Sequence, residues 1–264
     1  MASKGSAVPV IDMQDLSGLP ERLVKACEEW GCFRIVNHGV PMELMSEMKC
    51  VSRSLLDLPM EIKMRNSHPE HGKGYTPPNM ASPYFEGLSL YDMALPGAVD
   101  EFCSQVGASS HQREIIEKYG FAVYDLVQNL GSKLMEDPGF LTILQDDETI
   151  NGLEAVDKYT GELVSVDPIP GTLVVNVGDM AKVWSNGRFC NVKHRVQCYE
   201  PKIRTSIALF VLAPRDENVE ASPQLVDVHH PRLYVPFHFE DYRKLRTTTK
   251  SPTGAALELL RTKN

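Results

Sequence analysis

NVKHRVQCYEPKIRTSIALF, residues 191–210, is the stretch from which a fold and a site can be built. It reads as two strands of four or more residues joined by a turn at Glu200–Pro201–Lys202. On the first, Val192, His194, Val196 and Cys198 alternate with Lys193, Arg195, Gln197 and Tyr199. A period of two sends the first set to the inward face of a sheet and the second outward. On the second strand Arg204 and Ser206 share a face that Ala208 and Phe210 continue. A lone inward histidine is ordinarily a satisfied core residue, so periodicity leaves the role of His194 open. Arg204 says more. Buried charge is costly unless it is paired, so this arginine requires an anionic partner.

Upstream the same signal repeats. Phe140–Leu144, Leu153–Val156, Glu162–Val166 and Thr172–Val177 are short apolar runs separated by DDETING, DKYTG and DPIPG. With 191–199 and 203–212 they make six short strands spaced by turn clusters, close to a jelly roll. Residues 112–134 carry one apolar helical stripe from Ile115 to Leu134, with Ser110 placed to cap it. Towards the N-terminus, Val8–Ile11 reads as an edge strand containing Pro9. A helix from Pro20 stops at Gly31, and Cys32–Val36 is a second strand. After the turn NHGVP at 37–41, in which His38 is expected to bond backbone, a second helix ends near Leu58–Pro59. Residues 66–110 are rich in Pro, Gly and Ser, with interspersed aromatics. They read as an ordered loop segment, either a lid over an apolar ligand or loops packed on the core. Tyr75 and Phe85 are the candidate substrate contacts there. A short charged helix is expected near Gly254–Arg261, and His68, His71, His229, His230 and His238 are expected at the surface.

Composition bounds the function. The 264 residues are 42% apolar and 23% charged, ordinary for a globular protein. A net charge of −8 argues against nucleic acid or an anionic membrane as partner. There is no apolar run of membrane-spanning length, and MASKGSAVPV lacks the apolar core of a secretory signal. Six cysteines without C-x-x-C spacing read as reduced thiols of a cytosolic or nuclear protein; a cytoplasmic location is expected, and a monomer is favoured with the oligomeric state left open.

NHGVP at 37–41, LLDLPMEIK at 55–63, SNGRFCNVKHRV at 185–196 and RTS at 204–206 resemble the plant 2-oxoglutarate-dependent, iron(II) dioxygenases. DPGFLTILQDDE and RTSIALFVLAP are similar to the clade of dioxygenases for auxin oxidation. The resemblance implies a mainly β fold with helices. Its core is a double-stranded β-helix, or jelly roll, behind an N-terminal helical region. Residues 1–108 would form the N-terminal region, 109–215 the dioxygenase core and 216–264 a C-terminal loop and helix. It further implies Fe(2+) held by Asp137 and His194, and 2-oxoglutarate held by Arg204 and Ser206, with O2 as the oxidant. The implied reaction couples conversion of 2-oxoglutarate to succinate and carbon dioxide with oxidation of a small aromatic carboxylic acid. In the auxin clade that acid is indole-3-acetic acid, oxidised to 2-oxindole-3-acetic acid.

One block departs from the pattern. The family's first metal histidine belongs to an H-x-D motif, yet residues 135–137 are Met-Glu-Asp. The long helix runs through Leu134 directly into this triplet, without the N-x-Y segment that touches 2-oxoglutarate in the family. The jelly roll is therefore expected to lack one or two strands, and the site its first metal histidine. Two further readings follow: a non-catalytic truncated relative, and a protein that binds an organic acid through Arg204 and Ser206.

Overall fold

Gly31 ends the first helix and opens the first sheet. It takes the left-handed conformation at φ 67°, and the N–H groups of Trp30 and Gly31 both return to the Ala26 carbonyl. A Cβ at Gly31 would sit 2.0 Å from the Cys190 carbonyl oxygen, so only glycine fits. The computed structural model describes residues 8–67, 74–79, 83–134, 141–214, 216–249 and 255–262. It divides into two units, Met1–His38 with Leu126–Asn264, and Gly39–Asp125.

The first unit opens with β1 (Val10–Asp12), α1 (Leu19–Glu29) and β2 (Cys32–Val36). The second holds α2 (Met42–Leu56), α3 (Met60–Lys63) and α4 (Ala98–Val106), and α5 (Ser110–Leu134) runs from it back into the first. There follow β3 (Leu141–Gln145), β4 (Leu153–Val156), β5 (Leu163–Ser165), β6 (Leu173–Val177), α6 (Asp179–Trp184), β7 (His194–Val196) and β8 (Ile207–Phe210). A small pair, β9 (Asn218–Val219) with β10 (Phe237–His238), and α7 (Phe239–Thr249) follow, then a 3-10 turn at Ala256–Leu260.

The β unit is a two-sheet jelly-roll core. One sheet has the order β1-β2-β6-β3-β8 and the other β5-β4-β7. Every neighbour pair is antiparallel except β1 with β2. Cys32 and Val174 of the first sheet pack with Leu153 and Ala155 of the second, together with Val8, Trp30, Val166 and Val192. β6 (LVVNV) is buried along its whole length, as a continuous apolar run at a sheet centre should be. Its interior also holds a charge. Arg34 of β2 is 2% exposed. Its Nη2 donates to Asp146 Oδ2 at 2.6 Å and to the Val166 carbonyl at 3.2 Å. Its Nη1 donates to Thr172 Oγ1 at 2.9 Å and to Asp146 Oδ1 at 3.3 Å.

In the helical unit Val51 and Leu55 of α2, Val99, Phe102, Cys103 and Val106 of α4, and Ile115 and Ile116 of α5 form one cluster. Lys63 is buried and donates to the Leu56 carbonyl at 2.8 Å and to Glu86 Oε1 at 2.5 Å. The Tyr75 hydroxyl donates to the same Glu86 oxygen, so three segments meet on one carboxylate. Burial pushes the Glu86 carboxyl up, but the hydrogen bonds from Lys63 and Tyr75 outweigh it and hold it below its ordinary range.

Four expectations change. Residues 191–199 and 203–212 are not a hairpin: β7 pairs with β4, and β8 pairs with β3 in the other sheet. A turn does form, with Lys202 N–H on the Glu200 carbonyl, but it carries the chain between sheets. Local alternation reports a strand and not its partner. Ser109, not Ser110, caps α5. Its Oγ accepts from Gln112 N–H while Gln112 Oε1 accepts from Ser109 N–H, a reciprocal capping box. The loop reading of 66–110 missed α4, whose stripe of Val99, Phe102, Cys103 and Val106 is only nine residues long. The short helix expected near Gly254–Arg261 is a 3-10 helix, Ala256–Leu260, but α7 before it was missed; only Tyr242 of α7 is buried, so it carries no apolar stripe to read. All six cysteines are free, as expected.

Two outcomes are expected. Arg34→Met leaves Asp146 as an unpaired buried charge and should destabilise the fold by about 3–5 kcal/mol. Arg34→Met with Asp146→Leu should recover most of that. Urea unfolding measures both, and a single-variant loss below about 1 kcal/mol would contradict the assignment. For Glu86, a folded pKa held below the unfolded value of about 4.3 means stability present above that pH and lost as pH falls through the folded value. The stability gap between the parent and Glu86→Gln at neutral pH should therefore close as the pH falls below the ordinary carboxyl range. A gap that stays constant on acidification would show that Glu86 is not the titrating group.

Candidate active site

The lead-in to β8 places its side chains by the alternation of an extended chain. Thr205 is buried, Arg204 is half-buried, and Ser206 is exposed. Arg204 Nη1 donates to Ser206 Oγ at 3.3 Å, so the two residues converge. The other side of the guanidinium is unusual. Nε and Nη2 are both buried from solvent and make no hydrogen bond among the described residues. Buried donors are almost always satisfied, and an exception needs a reason. A guanidinium edge with Nε and Nη2 both free presents two parallel donors, the arrangement that grips a carboxylate bidentately. These residues fit the far carboxylate of 2-oxoglutarate, with Ser206 as an added donor.

The metal half is different. His194 opens β7 opposite Ala155 of β4. Its side chain is exposed, not inward, and Nδ1 lies 3.3 Å from the Val192 carbonyl oxygen. The period-two face is buried only at Val192; Val196 is 52% exposed and Cys198 is exposed. The reason is topological. β7 has three residues and is the last strand of its sheet, so no further strand among the described residues covers it. β8 ends the other sheet in the same way, and Phe210 is 65% exposed. Arg195 is held outward by Glu154 at 2.6 Å, and Tyr199 donates to the same carboxylate. Asp137 lies outside the described residues, with Met135 and Glu136. Among the described residues no group of three or more His, Cys, Asp or Glu could hold a metal ion. The described donors therefore fit 2-oxoglutarate and do not by themselves complete an iron site.

Tyr75 and Phe85 belong to the helical unit. The Tyr75 hydroxyl is committed to Glu86, and burial with that carboxylate pushes it up to about 12. Phe85 is 57% exposed. His38 bonds the Gly171 carbonyl, as expected of a turn residue, and burial holds its pKa below the ordinary value. His229, His230 and His238 are exposed, and His68 and His71 lie outside the described residues. Three residues that shape the site region were not read from the sequence: Arg34, Asp146 and Asp147. Their signals were an arginine inside the strand CFRIV and the paired aspartates of LTILQDDE.

The chain is similar to known proteins. Residues 113–213 match the 2OG-Fe(II) oxygenase superfamily, and residues 8–85 match the non-haem dioxygenase in morphine synthesis N-terminal family. The 2-oxoglutarate-dependent dioxygenase DAO of rice (Oryza sativa) is 41% identical, covering 96% of this chain and 98% of its own length. Jasmonate-induced oxygenase 4 of Arabidopsis thaliana is 31% identical over 95% of this chain and 84% of its own. The crystal structure of rice dioxygenase for auxin oxidation superposes with a TM-score of 0.88 at 40% identity, covering 97% of this chain and all of that one. Dioxygenase for auxin oxidation 1 of Arabidopsis thaliana, in its 2-oxoglutarate complex, gives a TM-score of 0.81 at 44% identity, covering 85% of this chain and all of that one. The rice sequence alignment has 295 positions, of which 96% of 264 residues fill only about 253, leaving about 40 with no residue of this chain. Iron(II), 2-oxoglutarate and O2 are the cofactor and cosubstrates of these enzymes. The chain belongs to the 2-oxoglutarate- and iron(II)-dependent dioxygenases, and groups with the dioxygenases for auxin oxidation.

Proposed function

We propose that this chain binds 2-oxoglutarate through Arg204 and Ser206 and serves the oxidation of a small aromatic carboxylic acid. Its relatives make indole-3-acetic acid the first substrate to test, with 2-oxindole-3-acetic acid as product. The observation that carries the reading is the half-satisfied guanidinium of Arg204, buried beside Ser206 with two donors free. The charge-assisted pair orients the cosubstrate, and Ser206 fixes its far end. Iron, when bound, supplies the oxygen chemistry. In this reading it is held by Asp137 and His194 alone, because position 135 is methionine. A thioether is a poor ligand in a nitrogen and oxygen site for ferrous iron. Turnover is therefore held low by the metal half, while the Arg204 and Ser206 part of the 2-oxoglutarate site is retained.

A second reading, an organic-acid-binding protein without turnover, is favoured by Met135 and by the alignment positions that this chain lacks. Both readings require the clamp, and iron separates them.

Titration calorimetry with 2-oxoglutarate should show binding that Arg204→Ala weakens about 100-fold and Arg204→Lys at least about tenfold, since lysine offers no parallel donors. Parental affinity in Arg204→Ala would sink the clamp. Succinate release with iron(II) and indole-3-acetic acid should run more than about 100-fold below that of the rice relative, because a lost direct ligand exceeds the ~10–100-fold of outer-shell losses. Met135→His should raise both iron affinity and release. Release within about tenfold of the rice protein would overturn the weakened-metal reading. Undetectable release even in Met135→His, with 2-oxoglutarate binding unchanged by chelator, would establish the binding protein.

A further inference from the structure

The peptide between the two clamp residues is held by a side chain from another strand. β3 and β8 pair antiparallel through Gln145↔Ile207, the last rung of that ladder. Continuing the register by two residues sets Asp147 opposite Thr205. There the ladder bond is replaced: Thr205 N–H donates to Asp147 Oδ2 at 3.2 Å, in a buried position. The other oxygen, Oδ1, accepts from Thr149 N–H at 3.1 Å, Thr149 Oγ1 at 3.1 Å and Ile150 N–H at 3.2 Å. Asp147 is itself 3% exposed. One carboxylate therefore locks the turn after β3 to the backbone N–H that lies between Arg204 and Ser206.

We propose that Asp147 is a positioning residue for 2-oxoglutarate: by fixing the Thr205 N–H it sets the direction in which Arg204 and Ser206 present their donors. The inference rests on the clamp reading above. An extended segment that rotates about Thr205 moves its two neighbours together, so one anchor controls both. A misplacement of about 1 Å is enough to spoil a bidentate pair. Asp147 touches neither the cosubstrate nor the metal in this scheme and acts only through Thr205. The adjacent Asp146 is engaged by Arg34, so the two aspartates have separate tasks.

The discriminating substitution is Asp147→Asn. The amide keeps one acceptor oxygen but turns an NH2 donor towards one of two sets of N–H donors. Titration of the full chain with 2-oxoglutarate should then show binding weakened about tenfold or more, the equivalent of one buried hydrogen bond lost. Thr149→Val, which removes one contact to Oδ1 and spares the Thr205 bond, should bind as the parent does. A loss of melting temperature without 2-oxoglutarate that is equal in the two variants, beside a loss of affinity confined to Asp147→Asn, separates positioning from general loosening. Should Asp147→Asn fail to fold, Asp147→Glu keeps the charge and shifts the oxygens by one methylene, with the same expected loss. If Arg204→Ala abolishes binding while the Asp147 variant binds like the parent, this proposal is overturned and the clamp stands. If Arg204→Ala binds like the parent, the clamp fails and the role of Asp147 fails with it.

Discussion

Arg34 is 2% exposed in the middle of a sheet, and its guanidinium is tolerated there because four acceptors surround it. A charge taken from water into that position is strongly unfavourable unless each donor finds a partner. The partners come from distant parts of the chain: Asp146 after β3, the Val166 carbonyl after β5, and Thr172 before β6. Val166 belongs to the layer shared by the two sheets, where it packs with Leu153, Ala155 and Val174. The requirement to satisfy one cation therefore fixes where three connections end and how the two sheets face each other.

A second arginine, half-buried on the face opposite Thr205, shows the opposite result. Arg204 has one donor on Ser206 and two buried donors with no acceptor. Both Arg34 nitrogens Nη1 and Nη2 are bonded, whereas Nε and Nη2 of Arg204 have no partner among the described residues. Asp146 pairs with Arg34, while Asp147 divides its acceptors between the turn at Thr149 and Ile150 and the Thr205 N–H beside Arg204.

Both sheets end, among the described residues, on the strands that border the site, β7 and β8. Edge strands expose backbone groups and one face of side chains. That is why His194, Val196 and Phe210 meet solvent where alternation would bury some of them. The rice relative has about 40 aligned positions with no residue of this chain, and the departure from the family pattern falls immediately before Asp137. Arg204, Ser206 and Asp147 all lie downstream of that departure.

The sequence alone was enough for the elements whose evidence is local. The stripe of α5, the stop at Gly31, the strands Cys32–Val36 and Leu153–Val156, and the R-x-S pair all follow from periodicity or from a single residue's backbone requirement. The expectation that Arg204 takes an anion came from the same kind of local reasoning, from the cost of burying charge. Only the tertiary structure decided the rest. Strand partners are chosen by long-range packing, so β7 and β8 part company across two sheets despite their adjacency in sequence. Exposure of His194 depends on what lies beyond the edge of β7, which no alternation within β7 can report. The role of Asp147 appears only where the β3–β8 register carries it to Thr205, 58 residues away, because a side chain can replace a ladder carbonyl only when folding brings the two strands side by side.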